Sequence, residues 1–413
     1  MPASARSVLL LTLIVLGGCA GLAPSHPPTR ATDPVILVSI DGFRADYLDR
    51  GLTPTLAALA AGGVRADALK PSFPTLTFPN HYTLVTGLTP DHHGIVNNRM
   101  VDPKTGKSFV YKDAKSIADP AWWGGEPIWV GVEKSGRHAA TMFWPGSDVA
   151  IDGTRPSHWL HFDGDLSPDR RVDQLLAWTD LRGTARPAFY TLYLEQVDHA
   201  GHDYGPDSRE VDTALRNIDR ALARLIDGLE QRGLFDRTNI VLVSDHGMTT
   251  TAPGRVVYLD DLVDVAAADV VAYGILAGMN PDGDKGAAIF ATLLAPHDHM
   301  HCWRKSDVPP RLRYGTNPRI PALLCLADDG WIIGTHDEQA RRRKFSLGEH
   351  GYDNDDPTMR ALFIAHGPAF KAGLRVPEFD NVDVYPLLAH LLAIPPAPND
   401  GSFDDVRAML RTP

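Results

Sequence analysis

The sequence predicts an α/β fold: a mostly parallel central sheet with helices on both faces and an inserted lobe. Three observations carry this expectation. Apolar, β-rich runs recur in "PVILVSI", "AFYTLYL", "NIVLV" and "RALFIAH", each followed by Asp, His or Gly near its exit. Such runs suit strands buried on both faces. Between them lie helical patterns, as in "REVDTALRNIDRALARLIDGLEQRGL", where Val211, Leu215, Ile218, Leu222 and Leu225 recur at spacings of three and four before Gly233. Strands alternating with helices build a parallel sheet, and ligands of such sheets bind beyond the carboxyl ends of the strands.

The composition agrees with a folded enzyme-sized chain. Of 413 residues, 44% are apolar and 22% charged, which excludes a disordered protein. The formal charge of -11 argues against a nucleic-acid-coating protein, whose surface should be basic. A small anionic substrate remains compatible, provided that cations gather locally.

At the N-terminus, residues 1–19 read as an export signal. Arg6 precedes an apolar run from Val8 to Leu16, too short to span a bilayer as a mature helix. Leu16-Gly17-Gly18-Cys19 resembles a bacterial lipobox, which would make Cys19 a lipidated first residue and a membrane attachment; an ordinary cleaved signal is the alternative. Residues 20–33, rich in Pro, Ser, Ala and Thr, read as a flexible tether. Export would leave Cys302 and Cys325 as a pair in an oxidising compartment, expected to form a disulfide, with two buried thiols as the alternative.

The folded part begins with Val35–Ile40, a strand that delivers Asp41 at its carboxyl end. Residues 250–345 are less regular and rich in loop signals, as an inserted lobe or cap would be. No repeat of fixed period is present.

Four dispersed stretches place Asp and His at strand exits: Asp41; Asp198 with His202; Asp245 with His246; and His350 in "LGEHGYDN". Asp198 and His202, four apart, share one face of a helix. Asp245 and His246 are adjacent, so "SDHGM" should turn at Gly247 for both to converge. Three Asp and three His make two sets of three, a donor mixture that fits zinc better than an all-oxygen magnesium or calcium cage. Two such ions about 4 Å apart suit phosphoryl transfer, because one activates the nucleophile and the other holds the leaving oxygen.

The nucleophile is sought in "KPSFPTLTFPNHYTLVTG", residues 70–87. Phe78-Pro79 follow Thr77, and proline in a first helical turn loses no hydrogen bond. Thr77 as helix N-cap would sit at the positive end of the helix dipole, where a nearby metal would make its alkoxide accessible. Thr75 is the competing hydroxyl, and a simple cap is the non-catalytic alternative.

The stretches "SIDGFRADYL", "PTLTFPNHYTLVTG", "HHGIVNN", "EPIWV", "FWPGSDV", "VDHAGHDYGP", "VSDHGM" and "EHGYDN" resemble the nucleotide pyrophosphatase/phosphodiesterases of the alkaline phosphatase superfamily, here in a bacterial exported form. They follow the family's order over most of residues 34–405. The resemblance implies an alkaline phosphatase-like catalytic domain over 34–413 with two zinc ions per chain. It places Asp41, Thr77, Asp245 and His246 around one zinc, and Asp198, His202 and His350 around the other.

It also selects Thr77 over Thr75 and turns the Asn98 side-chain amide toward a phosphoryl oxygen, with Asn97 as the rival. Phe78 and Phe162 would clamp a nucleotide base, Phe162 standing where relatives often carry Tyr. Core packing is the alternative for both. His81, His92 and His93 are expected to be structural, and His199 receives no role.

The expected reaction is two-step hydrolysis of phosphodiester or pyrophosphate bonds through a phosphothreonine intermediate, releasing a nucleoside monophosphate. Its partner is then a small nucleotide or phosphodiester and not a nucleic acid. Choline or glycerol phosphodiesters are the alternative substrates, since an aromatic pocket also suits a quaternary ammonium. A phosphomonoesterase and a non-catalytic surface binding protein are the further rivals. A sulfatase lacks support, because no Cys-x-Pro-x-Arg motif exists.

Overall fold

The computed structural model describes Met1 and residues 33–411, so the expected export signal, Cys19 and the tether before Asp33 lie outside the described residues. The main sheet is formed by β1 (Val35–Ile40), β2 (Val64–Ala66), β3 (Ala139–Met142), β4 (His158–Trp159), β5 (Phe189–Leu194), β6 (Asn239–Val243), β7 (Phe363–His366) and β8 (Leu374–Val376). Across the sheet they run in the order β8-β2-β7-β6-β1-β5-β3-β4. β1 pairs in parallel with β5 on one side and β6 on the other, and β3 and β4 extend the parallel run.

β7 departs from the expected pattern. It pairs antiparallel with both β6 and β2, so His366 leaves the sheet at the edge opposite Asp41. The chain enters β7 from the His350 loop, already at the carboxyl edge, and must cross the sheet in reverse.

The apolar runs are buried on both faces, as their lack of alternation requires. In β1, Val35 and Leu37 join one core layer while Ile36, Val38 and Ile40 join the other. The longer helices outside residues 250–345 are α1 (Pro54–Gly62), α2 (Thr77–Thr86), α3 (Ile128–Lys134), α4 (Pro168–Thr179), α5 (Gln196–Tyr204), α6 (Arg209–Gln231) and α7 (Val384–Leu391). Buried side chains of α1, α4 and α6 pack on the second layer, and those of α2, α3 and α7 on the first.

α6 shows the local logic. The Ser208 hydroxyl accepts from Val211 N at 3.2 Å and caps the helix. Leu215, Ile218, Leu222 and Leu225 then fall on one buried stripe, each worth roughly 1.5–3 kcal/mol when removed from water.

Within residues 250–345, Val270–Ala272, Leu276–Met279, Leu323–Ala327 and Met300–Arg304 form a separate four-stranded antiparallel sheet, in that order. Cys302 lies directly opposite Cys325 in it, and the two are disulfide-bonded.

Candidate active site

Because β6, β1 and β5 are neighbours, their three exits lie side by side at one edge of the sheet. Asp41 follows β1 directly, Asp245 and His246 follow β6, and α5 after β5 carries Asp198 and His202 on one face. The chain after β6 turns at Gly247, where an added Cβ would stand 2.0 Å from the Thr358 carbonyl oxygen. Only glycine permits that approach. Thr249–Thr250 then pair with Gly348–Glu349, which brings His350 beside the other exits.

Two groups of three result: Asp41, Asp245 and His246; and Asp198, His202 and His350. In the first, His246 Nε2 lies 3.0 Å from Asp245 Oδ2 and 3.4 Å from Asp41 Oδ1. In the second, Asp198 Oδ1 lies 3.4 Å from His202 Nε2 and 3.7 Å from His350 Nε2. The groups adjoin, since the His246 and His350 rings stack with centroids 3.4 Å apart.

The donor atoms fit divalent cations. Each of the three histidines gives its Nδ1–H to a backbone carbonyl: His202 to Gly348 at 2.7 Å, His246 to Gly247 at 2.9 Å and His350 to Thr75 at 2.8 Å. A carbonyl accepts only a proton, so every Nε2 keeps its lone pair for a ligand. Asp41 Oδ1, Asp198 Oδ1 and Asp245 Oδ2 are buried and accept no hydrogen bond. Buried anionic oxygens without a donor call for a cation.

Electrostatics say the same. Burial, then the carboxylates of Asp245 and Asp198, push Asp41 well above the usual carboxylate range. Burial also works to raise Asp245 and Asp198, but it is outweighed: His246 and His81 hold Asp245 well below the ordinary value, and His202 and His350 lower Asp198. Although burial opposes their charge, Asp198 lifts His202 and Asp245 lifts His246. Burial, with His246 alongside, pushes His350 down to about 3, which keeps its Nε2 unprotonated.

Thr77 stands at the start of α2, with a correction to its expected place. Leu76 is the N-cap, extended at φ -112° and ψ 153°, and Thr77 is the first helical residue. No side chain of the cap accepts a helix N–H, so the Thr77 hydroxyl is not spent on capping and instead faces His246 Nε2 at 3.3 Å. Its competitor is engaged on both sides: Thr75 Oγ1 donates to the Tyr352 carbonyl at 3.0 Å and accepts from Gly351 N at 2.9 Å. Thr75 is a brace for the His350 loop.

The first turn of α2 is served from outside the helix. Phe78 N donates to Asn98 Oδ1 at 3.1 Å. That bond fixes the orientation of the amide and leaves Nδ2 as the free donor end. Asn97 is occupied differently, its Oδ1 accepting from Arg99 N at 3.1 Å in a local turn.

A cavity of about 540 Å³ opens beside the second group, lined by Asn98, His202, His350, Glu349 and the cationic side chains Arg99, Lys112 and Arg342. The lobe closes it from one side with Ala272–Leu276. This supplies the local cations that an acidic chain needs for an anionic ligand.

Phe78 is half-buried, with ring centroids 5.9 Å from Phe109 and 5.8 Å from Tyr111. Phe162 is 56% exposed, a ring available to a ligand, with Phe143 at 5.2 Å and Tyr193 at 6.1 Å. Among the described residues the Phe78 and Phe162 rings make no contact with each other.

His93 is satisfied by Thr83, Pro79 and Ile95, and burial pushes it down to about 3. His92 meets Asp400 at 2.8 Å. His199 lies at the cavity wall. Sequence reasoning missed Tyr193, whose hydroxyl donates to Asp41 Oδ2 at 2.6 Å. Its only trace in the sequence is a phenol inside the apolar run "FYTLYL".

Residues 35–353 match the family model described as type I phosphodiesterase / nucleotide pyrophosphatase. An uncharacterised pyrophosphatase/phosphodiesterase of Schizosaccharomyces pombe is 39% identical over 389 residues, 91% of this chain and 80% of that protein. Ectonucleotide pyrophosphatase/phosphodiesterase family member 3 of Bos taurus is 39% identical over 94% of this chain, which spans only 45% of the bovine protein. Among solved structures, murine ectonucleotide pyrophosphatase/phosphodiesterase 5, as an inactive threonine-to-alanine variant in complex with AMP, superposes with a TM-score of 0.87 at 34% identity. That match covers 92% of this chain and 100% of the murine one. These relatives are eukaryotic.

Proposed function

Since the chain belongs to the type I phosphodiesterase / nucleotide pyrophosphatase family, we propose that it hydrolyses phosphodiester or pyrophosphate bonds of nucleotides, releasing a nucleoside monophosphate. One observation carries this reading: a helix-initial threonine, free of any cap, faces His246 where two adjoining Asp/His groups converge. The inactive murine relative with AMP, itself a threonine-to-alanine variant, supports both the nucleophile and the substrate class.

Two zinc ions suit the donors, one among Asp41, Asp245, His246 and Thr77 and the other among Asp198, His202 and His350. Bound there, zinc supplies Lewis acidity, lowering the threonine pKa and neutralising phosphoryl charge.

The rest follows from the chain's own side chains. Thr77 Oγ1, its proton lost to solvent water, bonds to phosphorus in line with the leaving oxygen. The bond from phosphorus to that oxygen breaks, and the oxygen departs with the electron pair and takes up a proton from water if it needs one, giving a phosphothreonine ester that still carries the nucleoside. The helix start places that oxygen in the positive field of α2. Asn98 Nδ2, its Oδ1 anchored by Phe78 N, donates to a phosphoryl oxygen as charge develops. Phe78 and Phe162 hold the base between their faces. Arg99, Lys112 and Arg342 favour an anionic leaving group over a quaternary ammonium in the adjoining cavity. Water then cleaves the ester, freeing Thr77 and the monophosphate.

The basic and apolar start of the chain, with Cys19 in a lipobox pattern, supports export to a periplasm and anchoring by lipidation. No helix among the described residues is long and apolar enough to cross a membrane.

The test is a panel of a nucleotide diester, a choline diester and the matching monoesters, assayed with and without chelator. The reading expects the nucleotide diester to be cleaved fastest and the chelator to stop it. Faster hydrolysis of the monoester, or undiminished activity in chelator, contradicts it.

A further inference from the structure

The sequence offers His81 only as a structural histidine, but its partners are those of the site. The ring is fully buried and both nitrogens are engaged. Nδ1 donates to the carbonyl of Thr77 at 2.9 Å, which fixes the proton there, and Nε2 accepts from the Ser39 hydroxyl at 2.8 Å. The same Nδ1 lies 3.2 Å from Asp245 Oδ2. Trp144 holds the ring's own backbone through Nε1 to the His81 carbonyl at 3.0 Å. The rings of Trp144 and Tyr193 stand edge-on to the imidazole, each with its centroid at 5.1 Å.

His81 belongs to α2 itself, four residues after Thr77, and from there one imidazole holds the first turn of its own helix and reaches two other elements: β1 at Ser39, two residues before Asp41, and the exit of β6 at Asp245. Burial alone does not ask for such partners. The equally buried His93 is satisfied by Thr83, Pro79 and Ile95, all near it in sequence and none in the site.

We propose that His81 is a positioning residue for the reaction: it fixes the first turn of α2 against Asp245, and so sets where the Thr77 hydroxyl stands relative to the Asp41, Asp245 and His246 group. The inference rests on Thr77 as the nucleophile. His81 exchanges no proton with the threonine, and its hydrogen stays on Nδ1 throughout. Its leverage is geometric, because misplacement of a reacting group by an ångström costs about 10²-fold in rate.

The experiment uses the zinc-loaded full chain and four variants: His81→Phe, His81→Asn, Ser39→Ala and Thr77→Ala. It reads kcat and KM on a chromogenic nucleotide diester, zinc affinity by chelator competition, and melting temperature. His81→Phe should lower kcat by about 10- to 100-fold and weaken zinc about tenfold, with KM nearly unchanged. His81→Asn, which returns a donor near Nδ1, should recover most of the kcat loss.

A kcat and zinc affinity for His81→Phe within about threefold of the parent overturn the proposal. So does His81→Asn performing no better than His81→Phe. If His81→Phe fails to fold, Ser39→Ala decides: a three- to tenfold fall in kcat (about that range) at unchanged melting temperature supports the role, and an unchanged kcat overturns it. Activity retained in Thr77→Ala removes the nucleophile reading itself, whereas loss there beside full activity in His81→Phe removes only the role of His81.

Discussion

Tyr193→Phe removes one oxygen atom from the site and leaves its shape intact. The phenol donates to Asp41 Oδ2 at 2.6 Å, and Asp41 is 1% exposed with no donor at Oδ1. Without the phenol neither carboxylate oxygen has a donor, and a zinc ion bound there as proposed would be their only partner. A hydrogen bond to a buried charge is worth about 1.5–3 kcal/mol. Loss of a partner that orients a metal ligand costs about 10- to 100-fold in metal affinity, or about 1.4–2.7 kcal/mol, so the two routes agree.

The sign of the pH dependence follows. Burial and the Asp245 and Asp198 charges already raise Asp41, and the phenol works against them. Its removal raises Asp41 further, and below that value a proton competes with the cation. The zinc deficit of the variant should therefore grow as pH falls from about 8 to about 6. Chelator-competition titration at both pH values, with melting temperature as a folding control, measures it. An affinity within about twofold of the parent at both values refutes the reasoning.

Other substitutions reach other parts of the site. Thr77→Ala should lower turnover by about 10³-fold or more while zinc content persists, read by steady-state kinetics beside metal analysis. Asn98→Ala removes the Phe78 N–H partner together with the proposed phosphoryl donor, and should cost about 10²- to 10³-fold in kcat. Gly247→Ala forces a Cβ to 2.0 Å from the Thr358 carbonyl oxygen; it should lower melting temperature and zinc content together, as thermal scans and metal analysis would show. Away from the site, burial holds His93 at about 3 in the folded chain, against an unfolded value of about 6.5. The unfolded state then binds the extra proton between these values, so this contribution to stability is full above about 6.5 and falls as pH drops toward 3. A His93→Gln variant, compared by urea unfolding near neutral pH and at about pH 5, should lose stability less steeply on acidification.

The parallel half of the sheet was legible because runs buried on both faces cannot alternate, and Val35–Ile40, Phe189–Leu194 and Asn239–Val243 do not. Polar residues at the ends of such runs stand out, which is how Asp41, Asp198, Asp245 and His246 could be singled out. The direction of Phe363–His366 was not legible, since parallel and antiparallel central strands carry the same composition. Thr77 shows a finer limit: a threonine before Phe-Pro reads equally as N-cap or first helical residue, and the difference decides whether its hydroxyl is free. The anchors of His350, His246 and His202 are the backbone carbonyls of Thr75, Gly247 and Gly348, which leave no mark on side-chain identity. Tyr193 hid for a related reason, because an aromatic ring in an apolar stretch reads as packing, while His81 was read as structural because its partners Ser39 and Asp245 are distant in sequence.

The central claim is that Thr77 carries the phosphoryl group in mid-reaction. Rapid acid quench of the zinc-loaded enzyme with a labelled nucleotide diester, followed by peptide mapping, tests it directly. The label should be found covalently on Thr77 before steady state is reached, and be missing from Thr77→Ala. A label on Thr75 or another side chain, or an active enzyme that never becomes labelled, would contradict it.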